Sequence, residues 1–537
     1  MTDSRYTIHC FFVIIFFLFT MTLFIRLLKA QENPESWFKH GKATVEEAEV
    51  LKAVKGKANN VIFFLGDGMG MTTVTAARIL EGQQRGQTGE ENMLSFEKFP
   101  YTALSKTYAI NQQVAESAAT MTALMTGVKT KAFMISVSGS ARTSDCASSK
   151  SNKLTTLLER AEMAGLSTGV VTNTRLTHAT PAAAYSHAAH RGWESDQDMP
   201  LDAKTQGCKD IARQLIEFSY GNGLEVAMGG GRANFLPKNI ADPEDTSISG
   251  RRFNSMDLTE EWKTRFPASE YVWNSKQLKE LDYSKVDHLL GLFSHSHMAF
   301  EHDRAKDKGG EPSLSEMTEA AIAILSKNKQ GFVLVVEGGL IDIAHHRGNA
   351  YRALTETIEM SRAVQVAVEK TKPYETLIIV TADHSQPLVI AGYTTRGNPI
   401  LGKVIINDYF TGEPYNTFAK DGLGLPYTTL NYVSGPGYTG KSEEQKEGSK
   451  RFRHSAKQFK GITSGRPDLT EVDTTDPDYL QETIFPLEAV AHAGEDVPVY
   501  ATGPCAHLVH GVIEQNVIYH IMEKALGLNK PYKQQKL

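Results

Sequence analysis

The sequence predicts an α/β protein with a doubly wound, largely parallel central sheet flanked by helices, and with a small inserted subdomain over the carboxyl ends of the strands. Short apolar, β-branched segments recur along the 537 residues, and helical patterns lie between them at the spacing that crossover connections require. Most strand segments are apolar at every position, as expected for strands buried on both faces. No repeat at a fixed period is present, which sets aside a solenoid or propeller.

Six segments are predicted strands, and four helical patterns alternate with them. The strands are 61–65, 168–172, 224–228, 332–336, 376–381 and 497–501, and the helices are 71–80, 152–164, 316–327 and 349–370.

The chain divides by composition. Residues 56–392 and 476–527 are predicted to form the main α/β domain, and 393–475, rich in Gly, Pro, Lys, Ser and Thr, the inserted subdomain. Residues 31–55 are predicted to form an amphipathic helix that needs a partner surface, and 528–537 a polar C-terminal tail.

The N-terminus predicts export. Residues 10–25 form an apolar run, and Ala30 is an acceptable cleavage site, so 1–30 is predicted to be a signal peptide of a secreted protein. An N-terminal membrane anchor is the alternative, because Arg26 and Lys29 follow the run. The polar, basic C-terminus lacks the hydrophobic tail that a glycolipid anchor requires.

Composition excludes several classes of protein. The net charge of −5 and the 22% of charged residues favour neither disorder nor a polyanion-binding surface, so nucleic acid is not an expected partner. The four cysteines, Cys10, Cys146, Cys208 and Cys505, are too few for a disulfide scaffold or a cysteine-rich zinc site. Any metal must therefore be bound mainly by His, Asp and Glu.

Acidic residues follow three of the predicted strands. Asp67, Glu337 and Asp383 stand where these strands end, and ligands of open parallel sheets bind at the carboxyl ends. One such acid would be interpreted as a turn residue beside a glycine. Three that converge on one edge indicate a cation site.

Histidines complete a metal-binding set. Asp342 and His346 are four residues apart and share a helix face, and His492 precedes the strand 497–501. Together with His384 and the acids Asp67 and Asp383, these residues provide the mixed nitrogen and oxygen ligands that suit two zinc ions. Glu337 with a hydroxyl group suits magnesium.

Ser117 is the candidate nucleophile. It begins a helical stretch of small residues, where free backbone N–H groups favour an incoming phosphate, although alone it would be interpreted as an N-cap. A metal-bound serine hydroxyl can lose its proton near neutral pH. Arg191 could bind phosphate oxygens through its planar guanidinium, but spacing does not distinguish it from Arg175.

The chain resembles animal alkaline phosphatases, most closely the insect secreted and membrane-bound forms, over residues 37–527. The matching strings are VIFFLGDGMGMTTVTAARIL, ESAAT, THATPAAAYSH, VVEGGLIDIAHH, VTADHS, HAGEDVPVYATGP and AHLVHG. The resemblance implies a homodimeric phosphoric monoester hydrolase with an alkaline optimum and broad specificity, in which Ser117 is phosphorylated and Arg191 binds the phosphate. It also implies a disulfide between Cys146 and Cys208.

The resemblance assigns two zinc ions and one magnesium ion to each subunit. One zinc would be bound by Asp342, His346 and His492, the other by Asp67, Asp383, His384 and Ser117, and magnesium by Asp67, Thr180 and Glu337. The implied mechanism is two in-line displacements through a phosphoserine.

Four positions depart from the family pattern. Glu116 stands where Asp is usual, and we expect its extra methylene to hold Arg191 more loosely, with helix capping as the alternative role. Ile343 replaces a histidine beside the first zinc set. Ser294 replaces an acid of a partial calcium site that retains Glu244, Phe293 and Glu311, which puts calcium in doubt, and Cys505 lacks its partner.

Two other functions stay open at this point. Glu116 motivates a secreted binding or receptor protein with reduced catalysis, and the shared zinc and sheet framework allows a related phosphodiesterase or sulfatase. Arg191, Thr180 and Glu337 together favour the phosphate monoester.

Overall fold

The computed structural model describes residues 33–266, 268–441, 446–454 and 466–528. The predicted signal peptide, 1–30, and the tail from residue 529 onward lie outside these ranges. The chain divides after Ala53 into an N-terminal unit and a main unit. The helices are α1 (Pro34–Val50), α2 (Met71–Gln84), α3 (Ser117–Thr126), α4 (Cys146–Lys150), α5 (Leu157–Met163), α6 (Ala179–Tyr185), α7 (Leu201–Thr205), α8 (Ile211–Ile216), α9 (Leu258–Arg265), α10 (Ser275–Glu280), α11 (Leu314–Leu325), α12 (Leu340–His346), α13 (Ala350–Lys370) and α14 (Val517–Leu526). The strands are β1 (Asn60–Gly66), β2 (Tyr101–Lys106), β3 (Ser167–Arg175), β4 (Val226–Gly230), β5 (Ser269–Val272), β6 (His288–Leu292), β7 (Phe332–Gly338), β8 (Thr376–Ala382), β9 (Leu388–Ile390), β10 (Leu430–Gly435), β11 (Thr483–Pro486), β12 (Val497–Thr502) and β13 (Gly511–Glu514).

A ten-stranded sheet forms the centre of the main unit. Its order is β13-β2-β12-β8-β1-β7-β3-β4-β6-β5. Every pairing is parallel except those of β12, which runs antiparallel to both of its neighbours, β2 and β8. The predicted α/β class with a largely parallel sheet is confirmed.

Apolar side chains on both faces hold the sheet between two layers of helices. Along β1, Val61, Phe63 and Leu65 belong to one apolar cluster, and Ile62 and Phe64 to the other, because successive side chains point to opposite faces. All five are fully buried, and burial of each contributes about 1.5–3 kcal/mol. This is why the central strands contain continuous apolar runs.

Four strands of the large sheet do not correspond to predicted segments. They are β2, β5, β6 and β13; β2 alternates buried with exposed positions, and the four residues of β13 include none that is buried. Strands β2 and β13 lack the continuous apolar run that marks β1, β7 and β8. The helix predicted over 152–164 begins only at Leu157, because Thr156 and Glu159 form a capping box there.

A second, three-stranded sheet has the order β11-β10-β9. Strand β10 pairs antiparallel with β9 and parallel with β11. Of these strands only β10 lies within 393–475, so the small sheet extends beyond the predicted insertion on both sides. The division into a main domain and an inserted subdomain stays a prediction.

Helix α1 presents apolar side chains to solvent. It begins after Asn33, whose side chain forms a capping box with Ser36, and none of its residues is buried. Trp37, Phe38 and Val50 are 59%, 76% and 72% exposed. Among the described residues, no helix is long and apolar enough to cross a membrane.

The disulfide that the resemblance implied is present. Cys146 and Cys208 are bonded, with their Cα atoms 6.0 Å apart, and this cystine joins the start of α4 to the segment after α7. Cys505 is a buried free thiol.

Candidate active site

The three predicted acids lie side by side at the carboxyl edge of the central strands. Strands β8, β1 and β7 are neighbours, and Leu65 is in register with Glu337 and Thr381. Asp67 follows β1, Glu337 lies near the end of β7, and Asp383 follows β8. All three side chains are fully buried.

The reversed direction of β12 explains why His492 precedes its strand. The carboxyl ends of the parallel strands meet at one edge of the sheet, and an antiparallel strand begins at that same edge. The segment before β12 therefore reaches the acids. His492 lies beside Asp342, with its Nε2 3.6 Å from Asp342 Oδ1.

Ser117 is the first residue of α3 and is buried among the predicted ligands. Its Oγ lies 3.4 Å from Asp67 Oδ2 and 3.3 Å from His384 Nε2. All ten residues of α3 are buried. The small side chains Ala118 and Ala119 allow the helix start to pack against the carboxyl edge of the sheet.

Each histidine of the set is oriented by a backbone carbonyl. His346 Nδ1 lies 2.6 Å from Val490 O, and His492 Nδ1 lies 3.0 Å from Ala115 O. Since a carbonyl oxygen only accepts, the proton is on Nδ1 and the Nε2 lone pair is free for a metal ion. His384 has the same arrangement with its own neighbour, at 3.3 Å.

Two groups of ligand atoms adjoin each other at this edge. His346 Nε2 lies 3.1 Å from His492 Nε2 and 3.1 Å from Asp342 Oδ2, and the three residues can hold one cation. Two nitrogen lone pairs this close repel unless a proton or a metal ion lies between them. In the second group, His384 Nε2 is 3.3 Å from Asp67 Oδ1 and 3.4 Å from Asp383 Oδ2.

A third group lies on the other side of Asp67. Thr180 Oγ1 donates to Asp67 Oδ2 at 3.3 Å, and Glu337 Oε2 accepts from Thr174 Oγ1 at 3.0 Å. His178, which the sequence analysis did not single out, joins Asp67 and Glu337 in a cluster that could hold a cation. Its position two residues before Thr180, in the string THATP, was the available signal.

The electrostatics of these acids favour a cation. Burial, and then the nearby Asp383 and Asp342 carboxylates, raise the pKa of Asp67 well above its ordinary value. Burial raises the pKa of Glu337 to about 7. Asp67 Oδ1 and Glu337 Oε1 are buried with no hydrogen-bond donor among the described residues. Divalent cations would neutralise the carboxylates and bind these oxygens, so the residues present fit the implied metals.

Asp342 behaves differently from the other acids. Although burial opposes ionisation, His346 holds the pKa of Asp342 well below its ordinary value. Gln386 Nε2 also donates to Asp342 Oδ1. This buried amide is a second residue that the sequence analysis missed, and it fixes the orientation of the carboxylate.

Arg191 and Arg175 have different partners. Arg191 Nη1 donates to Glu116 Oε2 at 2.5 Å, beside the candidate nucleophile. Arg175 makes a two-pronged ion pair with Glu194, with distances of 2.8 and 2.7 Å. The geometry therefore favours Arg191 as the phosphate-binding arginine.

Glu116 fills both of the roles that were posed as alternatives. Its carboxylate caps α3 by accepting from the backbone N–H groups of Ala118 and Ala119 at 3.1 and 3.0 Å. It also accepts from Phe133 N at 2.8 Å and from Arg191. Burial opposes ionisation, but Arg191 and the backbone donors hold the pKa of Glu116 below its ordinary value.

Two other departures from the family pattern, Ile343 and the partial calcium site, have contacts of their own. Ile343 packs against the apolar cluster on one face of the sheet. At the partial calcium site, Glu244 Oε2 accepts from the buried Arg232 at 3.0 Å, and burial raises the pKa of Glu311 to about 8. The Arg232 guanidinium already pairs with one of the carboxylates there, which disfavours a calcium ion.

Comparison with known proteins shows the family of the chain. The family model for alkaline phosphatase matches residues 58–528. The chain belongs to the alkaline phosphatase family. It is 44% identical to the alkaline phosphatase of Gadus morhua over 93% of this chain and 99% of that protein. It is 42% identical to the tissue-nonspecific isozyme of Gallus gallus, over 96% and 95% of the two chains.

The chain is therefore a phosphoric monoester hydrolase, as the sequence predicted. Solved structures agree on the fold. Alkaline phosphatase from Thermus thermophilus has a TM-score of 0.60 at 22% identity, covering 89% of this chain and 93% of that one. The enzyme of the Antarctic bacterium TAB5 has a TM-score of 0.56 at 22% identity, with coverages of 88% and 99%.

Proposed function

We propose that this alkaline phosphatase hydrolyses phosphate monoesters through a phosphoserine at Ser117 and requires two zinc ions and one magnesium ion per subunit. The observation that carries the proposal is the convergence of the Ser117 hydroxyl and three clusters of ligand atoms on one sheet edge. The resemblance adds an alkaline optimum, a broad range of monoesters, secretion and a homodimer.

The metal ligands follow the sequence assignment. Asp342, His346 and His492 would hold one zinc; Asp67, Asp383, His384 and Ser117 the second; and Asp67, Thr180 and Glu337 the magnesium, with His178 beside it. When bound, the ions neutralise the carboxylates, lower the pKa of the serine hydroxyl and stabilise the leaving oxygen.

The chain itself binds and orients the phosphoryl group. The guanidinium of Arg191 has five N–H donors, of which Glu116 and His178 each take one, so three remain for phosphate oxygens. The N-terminus of α3 adds the positive end of its helix dipole at the nucleophile, although the Ala118 and Ala119 N–H groups there already donate to Glu116. The Ser117 oxygen then attacks phosphorus in line with the leaving alkoxide, and water later hydrolyses the phosphoserine with the same geometry.

Metal analysis and turnover together test the proposal. The purified protein should contain zinc and magnesium in a ratio of two to one by mass spectrometry, and a chelator should abolish hydrolysis of 4-nitrophenyl phosphate until zinc is restored. His492→Ala should lose about one zinc and most activity. His520→Ala is the matched control, since His520 is exposed on α14.

Two outcomes would contradict the proposal. Full turnover in metal-free protein would exclude it. Faster hydrolysis of bis(4-nitrophenyl) phosphate than of the monoester would instead indicate a phosphodiesterase.

A further inference from the structure

Two partly buried histidines, His178 and His297, lie one after the other beside Arg191, the candidate phosphate-binding arginine. His178 Nε2 is 3.1 Å from Arg191 Nη2, on the opposite side of the guanidinium from Glu116. The ring of His297 meets the ring of His178 edge to face, with centroids 5.4 Å apart. His297 Nε2 in turn contacts Arg175 Nη1. The two histidines thus form a row of contacts that runs from Arg191 to Arg175.

Hydrogen-bond chemistry fixes the role of each histidine nitrogen. A guanidinium only donates, so His178 Nε2 accepts from Arg191, and His297 Nε2 accepts from Arg175. Both protons are therefore on Nδ1, and both Nδ1 atoms are buried without a hydrogen-bond partner among the described residues. Within the described part of the chain, the ring packing and the two Nε2 hydrogen bonds are the contacts that orient these side chains.

Arg175 is itself fixed at the far end of the row. It lies at the end of β3 and makes its ion pair with Glu194. Glu194 Oε2 also accepts from Thr177 Oγ1 at 2.6 Å and from Asn234 Nδ2 at 3.1 Å. Glu194 thus holds the Arg175 guanidinium along its Nε and Nη2 edge, and the remaining Nη1 contacts His297.

The loop that carries His297 is pinned to the sheet. Met298 N donates to Asn173 O at 3.1 Å, and Gly231 N donates to Ser296 O at 2.7 Å. A Cβ atom at Gly230 would lie 2.2 Å from Ser296 O, so the loop approaches the end of β4 more closely than any other residue there would allow. The imidazole of His297 therefore stands at a fixed distance from the sheet edge.

We propose that His297 is a positioning residue for the phosphate-binding arginine, and that it acts by packing against His178 while Arg175 holds its ring. The inference rests on the proposed function, because it takes Arg191 to be the phosphate ligand. His297 touches neither Ser117 nor the predicted metal ligands in any contact above. It acts on how well Arg191 is oriented, and thus on affinity for the phosphoryl group.

The test compares substitutions at His297 in the metal-loaded enzyme. His297→Leu removes the acceptor and the aromatic edge, and we expect the inhibition constant of inorganic phosphate to rise about tenfold, with zinc content unchanged. His297→Gln places an acceptor oxygen near the Nε2 position and should restore most of the affinity. His295→Leu is the matched control, since His295 lies in the same loop but contacts Ser249 O instead.

A purely structural role predicts a different result. His297→Leu would then lower the melting temperature while the phosphate inhibition constant stays at the wild-type value, and that outcome overturns the inference, as does a Gln variant no better than the Leu variant. If His297→Leu does not fold, Arg175→Met gives the same measurement from the other side of the contact. Arg191→Ala separates the two proposals: if it leaves phosphate inhibition unchanged, the proposed function fails, whereas an effect there without one at His297 rejects only the positioning role.

Discussion

Shortening Glu116 by one methylene, in the Glu116→Asp variant, should weaken phosphate binding. The carboxylate accepts four hydrogen bonds, two from the start of α3 and one each from Phe133 N and Arg191. Aspartate is a favourable N-cap and should keep the helix contacts. Its carboxyl group then stands about 1.5 Å short of Phe133 and Arg191. This reverses the expectation from sequence that the longer Glu116 holds the guanidinium loosely.

The contacts set the size of the effect. A hydrogen bond to a charged group is worth about 1.5–3 kcal/mol. The Arg191 and Glu116 side chains are 23% and 11% exposed, and His178 still holds the other side of the guanidinium. We therefore expect a loss of about 1–2 kcal/mol, which raises the phosphate inhibition constant about fivefold to thirtyfold.

Inhibition of 4-nitrophenyl phosphate hydrolysis by inorganic phosphate measures this directly. Glu116→Gln keeps the length but places an amide donor against the Arg191 donor, so its inhibition constant should rise at least as far. In an Arg191→Ala background, Glu116→Asp should add nothing, because the contact is already gone. An inhibition constant in the single Asp variant that is unchanged or lower than wild type would refute this account of the clamp.

Three further predictions concern the nucleophile, the assembly and stability at alkaline pH. Ser117→Ala should abolish acid-stable phosphate labelling and lower turnover by several orders of magnitude with little change in stability; label on another residue would contradict the assignment. Deleting residues 31–55 should weaken a homodimer, because α1 exposes its apolar side chains and needs a partner; equal sedimentation of the two proteins would refute this. Burial, and then the neighbouring Glu225, raise the pKa of Glu162 from 4.5 to about 9. Between these pH values the carboxyl group is ionised in the unfolded chain but protonated in the folded one, so the free energy of unfolding falls as the pH rises. Glu162→Gln cannot ionise and should lose less melting temperature than wild type between pH 6 and pH 9; an equal loss would show that this carboxyl is not the cause.

The central strands and the acids that follow them could be predicted because their pattern is local. Strands β1, β7 and β8 each contain a continuous apolar run, and each is followed or ended by an acid. Strands β2 and β13, at one side of the sheet, are partly exposed and carry no such run. Strand β2 is placed by its pairing with β12, and β13 by its pairing with β2, and a local pattern does not contain these pairings.

The site shows the same division between local and tertiary information. The helical spacing of Asp342 and His346 predicted their proximity, and the structure has them 3.1 Å apart. Nothing local distinguishes Arg191 from Arg175, because the difference lies in whether Glu116 or Glu194 faces the guanidinium. The contacts of His297 could not be predicted for the same reason, since its partners come from distant segments.

The position of β12 has a consequence for biosynthesis. A ribosome releases residues 497–502 only after nearly the whole chain has been made, yet this strand lies between β8 and β2. Until it emerges, the edge of β8 is unpaired and β2 has no link to the rest of the sheet, and an unpaired edge can join another chain. A premature stop shortly before residue 497 would therefore leave most of the fold synthesised but its sheet open, and such a product should aggregate rather than persist as a slightly shortened enzyme.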